Sequence, residues 1–298
     1  MEDFVMKIAC KRCGQMIDQD SVFCKYCGDK TDFQVTPIDL PTKQLKDIFE
    51  CIQRSLLQNS SYSQEAFDSK FNRFKTYENR VLNDNEYFRI LVDVIFYSGF
   101  RASTVSKYLE TIHQHFPDIQ TVRAYSSDKI GNICHDPKMI KNRAKIEAVC
   151  HNAKTFEKLI KKHGSFKNFV RSFGDMSDDK NLFKFKDALQ KNFAFLGGIT
   201  VYHFMMDIGL NVLKPDRVMM RIFSRLGLIS NEKDFKGAVL MGRAFSKATG
   251  LPIRYIDVIF VMYGQLNQEM ITSICTEENP KCHLCGASGF CDFFSKRH

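Results

Sequence analysis

At 298 residues the chain is long enough for one substantial hydrophobic core with small appendages, since cores seldom grow past about 250–300 residues before splitting. Lys and Arg outnumber Asp and Glu by 43 to 34, and the surplus of 9 is spread along the sequence, which permits a polyanionic partner without demonstrating one. The most apolar runs, "ILVDVIF" and "YIDVIFVMYG", are too short to span a bilayer, and no N-terminal stretch has the layout of a secretory leader. A cytosolic protein with no membrane partner is therefore expected.

Residues 10–28 read "CKRCGQMIDQDSVFCKYCG". Cys10 with Cys13 and Cys24 with Cys27 each enclose two residues, and Gly14 and Gly28 follow directly, so one tight turn presents each pair of sulfurs to a metal. Four thiolates suit tetrahedral zinc, and the ten-residue gap between the pairs fits two short strands or a loop. The unit, residues 1–30, resembles the small zinc-ribbon modules at the ends of many bacterial proteins, which implies bound Zn2+ and either DNA or a protein as the ribbon's partner. Of the 11 cysteines, eight fall into two terminal clusters, which without a leader read as metal sites rather than disulfides. Cys51, Cys134 and Cys150 read as ordinary thiols.

Residues 31–80 comprise a proline-containing linker, "DKTDFQVTPIDLPTK", and leading helices. "LPTKQLKDIFECIQRSLL" offers Thr42 as a cap, and "SQEAFDSKFNRFKTYENRVL" repeats apolar positions at three and four residues. From there to residue 274 the chain reads helical almost throughout, without a useful strand pattern. In "EYFRILVDVIFYSGFRAST" the residues Phe88, Leu91, Val92, Ile95 and Phe96 form a core stripe. Asp93, Tyr97, Phe100 and Arg101 are left toward another face, where Asp93 is placed to pair with Arg89 four residues away.

Further on, "FLGGIT" separates two helical segments. Adjacent Gly197 and Gly198 let the backbone turn tightly and aim free N–H groups outward, where they can hold a phosphate, or serve as caps of a plain helix-helix turn. In "LKPDRVMMRIFSRLG", Asp216 stands at a helix N-terminus, where it serves as cap and stays ionised in the field of the helix dipole. Arg217, Arg221 and Arg225 recur every four residues as a basic edge that reads as phosphate-tracking or simply wet. His203 lies one turn past the glycines.

The last segment, "CTEENPKCHLCGASGFC", places Cys275, Cys282, Cys285 and Cys291 within 17 residues, with six, two and five residues between them. Four thiolates accept either zinc or an iron-sulfur cluster. The spacing, after a helical domain, matches the iron-sulfur loop of the endonuclease III branch of helix-hairpin-helix (HhH-GPD) DNA glycosylases. "FLGGIT" resembles the hairpin of that superfamily, and "PDRVMMRIFSRLGL" its aspartate-headed helix, although Val218 and Arg217 stand nearer the aspartate than the pattern places them. "IKNRAKIEAVCHNAKTF" followed by "HGSFKNFV" closely resembles 3-methyladenine DNA glycosylase I. The likeness spans about residues 80–294.

The resemblance implies a mostly α helix-hairpin-helix DNA glycosylase fold, with the zinc ribbon before it and a [4Fe-4S] loop in residues 275–298. It implies that Gly197, Gly198, Ile199 and Thr200 hold DNA, that Lys281 faces phosphate, and that Asp216 is the catalytic carboxylate. Asp93, Tyr97, Phe100 and Arg101 fall on a wall of the base pocket, Asp93 near the position where adenine glycosylases carry a glutamate. Strand-cleaving members place a lysine at about Val201, so a monofunctional base-excision repair enzyme is expected. Its substrate would be duplex DNA holding an alkylated purine such as 3-methyladenine. The alternatives are adenine excision from mispairs and a non-catalytic, lesion-sensing DNA-binding protein. A monomer in the bacterial cytosol or nucleoid is expected. The chain departs from 3-methyladenine DNA glycosylase I in lacking tryptophan and that family's N-terminal Cys/Trp/Tyr-His motif.

Overall fold

The computed structural model describes the strands 7–9 and 16–18 and residues 40–266 and 270–297, without the side chains of 77–79. Residues Met1–Pro37 and Ile38–His298 are separate compact units. In the first, β1 (Lys7–Ala9) pairs antiparallel with β2 (Met16–Asp18), Lys7 opposite Asp18. Of the two described strands, β2 falls between the cysteine pairs and β1 precedes them both. Cys10, Cys13, Cys24 and Cys27 themselves lie outside the described residues.

The second unit is helical. α1 (Thr42–Gln58) starts after Pro41 with no side-chain cap, so Thr42 is the first helical residue rather than the cap. α2 (Gln64–Asn72) is capped by the Ser63 hydroxyl and tightens into a 3-10 stretch, Arg73–Asn79, where the sequence period continues. α3 (Asp84–Tyr97) opens with a reciprocal capping box between Asn83 and Glu86, which satisfies two N-terminal donors at once. Its buried residues include all five of the expected stripe. The short helices α4 (Ala102–Ser106), α5 (Leu109–His115), α6 (Ile119–Arg123) and α7 (Ser127–His135) lead to the long α8 (Arg143–His163), which ends at Gly164. α9 (Phe166–Arg171), α10 (Asp179–Asn192) and α11 (Thr200–Asp207) complete the first half. α12 (Arg217–Arg225), α13 (Phe235–Thr249) and α14 (Ile253–Gly264) follow, and after two 3-10 turns the chain ends in α15 (Asp292–Ser295).

Two cores result. One is built by α3 to α11 and is rich in phenylalanine: the Phe156 ring lies 4.5 Å from Phe166, which in turn meets Phe193 at 6.1 Å and Phe204 at 6.2 Å. These rings lock the ends of α10 and α11 to α8 and α9, and each fully buried phenylalanine stabilises the lobe by about 1.5–3 kcal/mol. The other core joins α1 and α2, from the start of the unit, to α12, α13, α14 and the cysteine loop from its end. The leading helices are thus half of a lobe whose other half lies about 170 residues away. Residues 208–216 cross from one core to the other. The crossing runs close beneath α13 because residue 242 is glycine; a Cβ there would collide with the Leu213 side chain. No helix among the described residues is long and apolar enough to cross a membrane.

Candidate active site

The connection from α10 to α11, residues 193–199, forms the hairpin. Its glycines act differently from expectation: neither has positive φ, and Phe195 takes the left-handed conformation instead, with φ 63°. Gly197 and Gly198 are exposed, and a Cβ on either would meet nothing closer than 3.8 Å within the chain, so their bareness leaves room for something outside it. The N–H groups of Gly197, Gly198 and Ile199 have no acceptor among the described residues, and they sit where α11 points its positive end. The Thr200 hydroxyl closes the loop by donating to the Phe195 carbonyl at 2.7 Å.

Two buried polar side chains of α8 hold this loop, and sequence reading did not single out either. Asn152, fully buried, donates through Nδ2 to Ala194 O at 3.0 Å and accepts from Ala194 N–H at 2.8 Å, pairing one residue's backbone completely. The Lys145 ammonium donates to the carbonyls of Ile95, Phe96 and Ser98, which the end of α3 leaves without helical donors. It also lies 5.0 Å from the Phe100 ring and 5.8 Å from Phe195, so the loop after α3 and the hairpin meet at one cation. Both residues belong to the "NRAKIEAVCHNAKTF" segment, which in this chain packs against the hairpin and the end of α3. Replacing Asn152 with Leu leaves both polar groups of Ala194 unpaired. It is expected to cost about 2–4 kcal/mol and to weaken DNA binding, readable by urea titration and by affinity for an undamaged duplex.

Asp216 caps α12. Its Oδ1 accepts from Val218 N–H at 3.0 Å and Met219 N–H at 3.1 Å, whereas Oδ2 takes no part in the cap and lies 3.4 Å from Lys214 Nζ. The side chain keeps 24% of its surface accessible. One oxygen thus builds the helix while the other faces Lys214, where the crossing segment enters the second core. Lys214 is anchored in turn: its N–H donates to Oδ1 of Asp257 on α14 at 3.4 Å. Burial pushes the Asp257 carboxyl up from its ordinary range, Arg254 opposes the rise, and the charge of Asp216 adds to it. Burial also pushes up Asp207 of α11, but the hydrogen bond from His203 and the charges of His203, Arg254 and Lys214 outweigh it and leave the group lowered.

The other expected pocket residues divide. Asp93 pairs not with Arg89 but with His113 of α5, at 2.6 Å. The Tyr97 hydroxyl lies 3.2 Å from Ser106 Oγ. Phe100 and Arg101 are exposed in the turn after α3, where Gly99 supplies a φ of 77°. Of these four, the structure brings Phe100 to the hairpin.

The arginines of α12 are not a free basic edge. Arg217 is exposed, but Arg221 is buried, donating through Nη2 to Gly264 O at 2.8 Å and through Nε and Nη2 to Cys275 O. Arg225 donates to Thr276 O at 2.6 Å, Glu277 O at 2.9 Å and Cys275 Sγ at 3.4 Å. Together they fasten the cysteine loop to the helix that Asp216 heads. Cys275, Cys282, Cys285 and Cys291 line one cavity with Arg225, Phe293 and Phe294. No disulfide joins the four. Among the described residues no three His, Cys, Asp or Glu side chains are grouped closely enough to hold a metal ion. Four thiols beside an arginine, with no carboxylate, are a donor set that either zinc or an iron-sulfur cluster accepts. Lys281, in the same loop, is exposed.

Residues 75–214 match the family model described as methyladenine glycosylase, which ends just before Asp216. Among solved structures, an endonuclease III trapped as a covalent intermediate with DNA is similar over 87% of this chain and 99% of its own, at 15% identity and a TM-score of 0.53. The 8-oxoguanine DNA glycosylase of Thermotoga maritima matches over 78% and 100%, at 17% identity and 0.48. 3-Methyladenine DNA glycosylase I from Staphylococcus aureus matches over 53% and 91%, at 18% identity and 0.41. The endonuclease III likeness extends the shared fold beyond the family match, into the second core. Residues 75–214 are thus similar to the methyladenine glycosylase family, and the chain shares its fold with the endonuclease III structure.

Proposed function

We propose that the protein is a monofunctional glycosylase that hydrolyses the N-glycosidic bond of an alkylated purine in duplex DNA, with Asp216 as the catalytic carboxylate. The observation that carries this reading is the division of labour at Asp216, one oxygen capping α12 and the other turned away from the cap. As the base departs, positive charge builds on the sugar. A fixed carboxylate beside it stabilises that charge and orients the attacking water. The exposed hairpin N–H groups hold the phosphate backbone, and the exposed Phe100 and Phe195 rings offer stacking surface beside it.

An alkylated purine supports the reading chemically. Alkylation of a ring nitrogen leaves the base cationic, so it departs without an added proton. Adenine needs an acid to protonate it, and the candidate carboxyl for that task, Asp93, is taken up by His113. The test is base release from duplexes carrying 3-methyladenine, oxidised guanine, uracil or a mispaired adenine. Release from the first alone is expected, and release only from the mispair would reassign the substrate.

Strand cleavage through a Schiff base needs an uncharged amine at the sugar. Val201 is fully buried and α11 carries no lysine, while Lys214 is paired with Asp216. Borohydride added during turnover is therefore expected to trap no protein–DNA adduct, and the product is an intact strand with an abasic site. A trapped adduct lost in Lys214→Ala would show that the enzyme is bifunctional.

Cys275, Cys282, Cys285 and Cys291 would hold a [4Fe-4S] cluster, which supplies rigidity to the loop rather than a step of hydrolysis. Cys10, Cys13, Cys24 and Cys27 would hold Zn2+. Removing residues 1–30 separates the two partners expected for the ribbon, because a DNA-contacting ribbon lowers the salt dependence of binding when deleted and a protein-docking one does not.

A further inference from the structure

α14 reads "IRYIDVIFVMYG" and is apolar along its length except for Arg254 and Asp257, three residues apart. Asp257 is 4% exposed. Burying a carboxylate is costly, and a buried ion pair is often no more stable than apolar side chains of the same volume. Stability does not account for the pair, and no step of the proposed hydrolysis uses it. Its contacts do. Oδ2 of Asp257 lies 3.1 Å from Arg254 Nη1, and Oδ1 accepts the N–H of Lys214, two residues before Asp216. Arg254 Nη2 lies 3.7 Å from Asp207 Oδ1, and Asp207 Oδ2 lies 3.2 Å from His203 Nε2. His203 belongs to α11, the helix that the hairpin opens. Charges of alternating sign thus run from the hairpin helix, through α14 of the other core, to the segment that delivers Asp216.

We propose that Asp257 is a positioning residue for Asp216. Its hold on the Lys214 backbone sets where Pro215 and Asp216 leave the crossing segment, and its pair with Arg254 ties that setting to Asp207 and His203. Duplex engaged at the hairpin and sugar presented to Asp216 are then kept in one fixed geometry. The proposal rests on Asp216 being the catalytic carboxylate.

The experiment compares Asp257→Asn with Asp216→Asn in the full-length, metal-loaded protein, using a duplex with one 3-methyladenine. Asn keeps the volume and an acceptor for Lys214 N–H but removes the charge that Arg254 meets. Single-turnover excision by Asp257→Asn is expected to fall about 10- to 100-fold, the cost of a misplacement near 1 Å, with DNA affinity and iron content unchanged. If Asp257→Asn does not fold, Arg254→Gln and Arg254→Lys replace it, the first expected to slow excision and the second to retain most of it. Asp257→Asn, or Arg254→Gln in its place, at wild-type rate beside an inactive Asp216→Asn would overturn the positioning role and leave Asp216 in place. Equal loss of rate and DNA affinity, with full rate per folded molecule, would overturn it as well. Activity in Asp216→Asn itself would remove the reading on which the proposal stands.

Discussion

Asp216→Asn is expected to fold, to bind duplex DNA as tightly as the parent chain, and to release base about 1,000-fold more slowly, the loss typical of deleting one preorganised electrostatic stabiliser. The expectation separates the two duties of the residue. Asparagine is as good an N-cap as aspartate, so its carbonyl oxygen can still accept from Val218 and Met219 N–H, and α12 keeps its start. What vanishes is the negative charge on the oxygen that faces Lys214. The cationic sugar of the transition state is then left opposite an amide dipole. Asp216→Ala is the useful partner variant: it removes cap and charge together, and should lose about 1 kcal/mol of stability as well as the activity. Thermal melts and single-turnover base release on both variants check the division. Full activity in Asp216→Asn would mean that another carboxylate meets the sugar.

Much of this site was legible because its chemistry is local. The cap at Asp216 and the buried stripe of α3 each follow from a few neighbouring residues, and each stands where the sequence placed it. Contacts between distant segments were not legible. A pairing rule for positions i and i+4 gives Arg89 to Asp93, but α5 brings His113 to the same carboxylate from 20 residues away. A helical wheel puts Arg221 and Arg225 on a polar face and does not say whether water or a loop covers it; here the cysteine loop does. Asn152 and Lys145 look like ordinary polar members of an amphipathic helix until the Ala194 and Ile95 backbones are seen against them. The left-handed turn of the hairpin fell on Phe195 rather than on a glycine, since local propensity yields where both flanking helices are fixed by packing. The one unread signal was in α14, where two charges three apart in an apolar helix mark a position that must pair.

The cysteine loop carries the second large effect. Cys291→Ser should yield protein without iron or sulfide, against about four of each in the parent if the loop holds a cubane cluster, and the melting temperature should fall by roughly 6–12 °C for a loss near 3 kcal/mol. The consequences reach beyond the loop because α12 is fastened to it. Arg221 is buried, and its acceptors are Gly264 O and Cys275 O; Arg225 depends on Thr276 O and Glu277 O. A loop that loses its shape withdraws most of these acceptors, leaving the buried Arg221 guanidinium with Gly264 O alone on the helix that begins at Asp216. Excision should therefore weaken along with DNA binding, although the cysteines take no part in the proposed hydrolysis. Arg221→Met distinguishes fastening from metal chemistry: it keeps all four thiols and is expected to retain iron while losing stability and activity in parallel. Parent protein purified with zinc in place of iron at these thiols, and fully active, would establish the loop as a plain structural site.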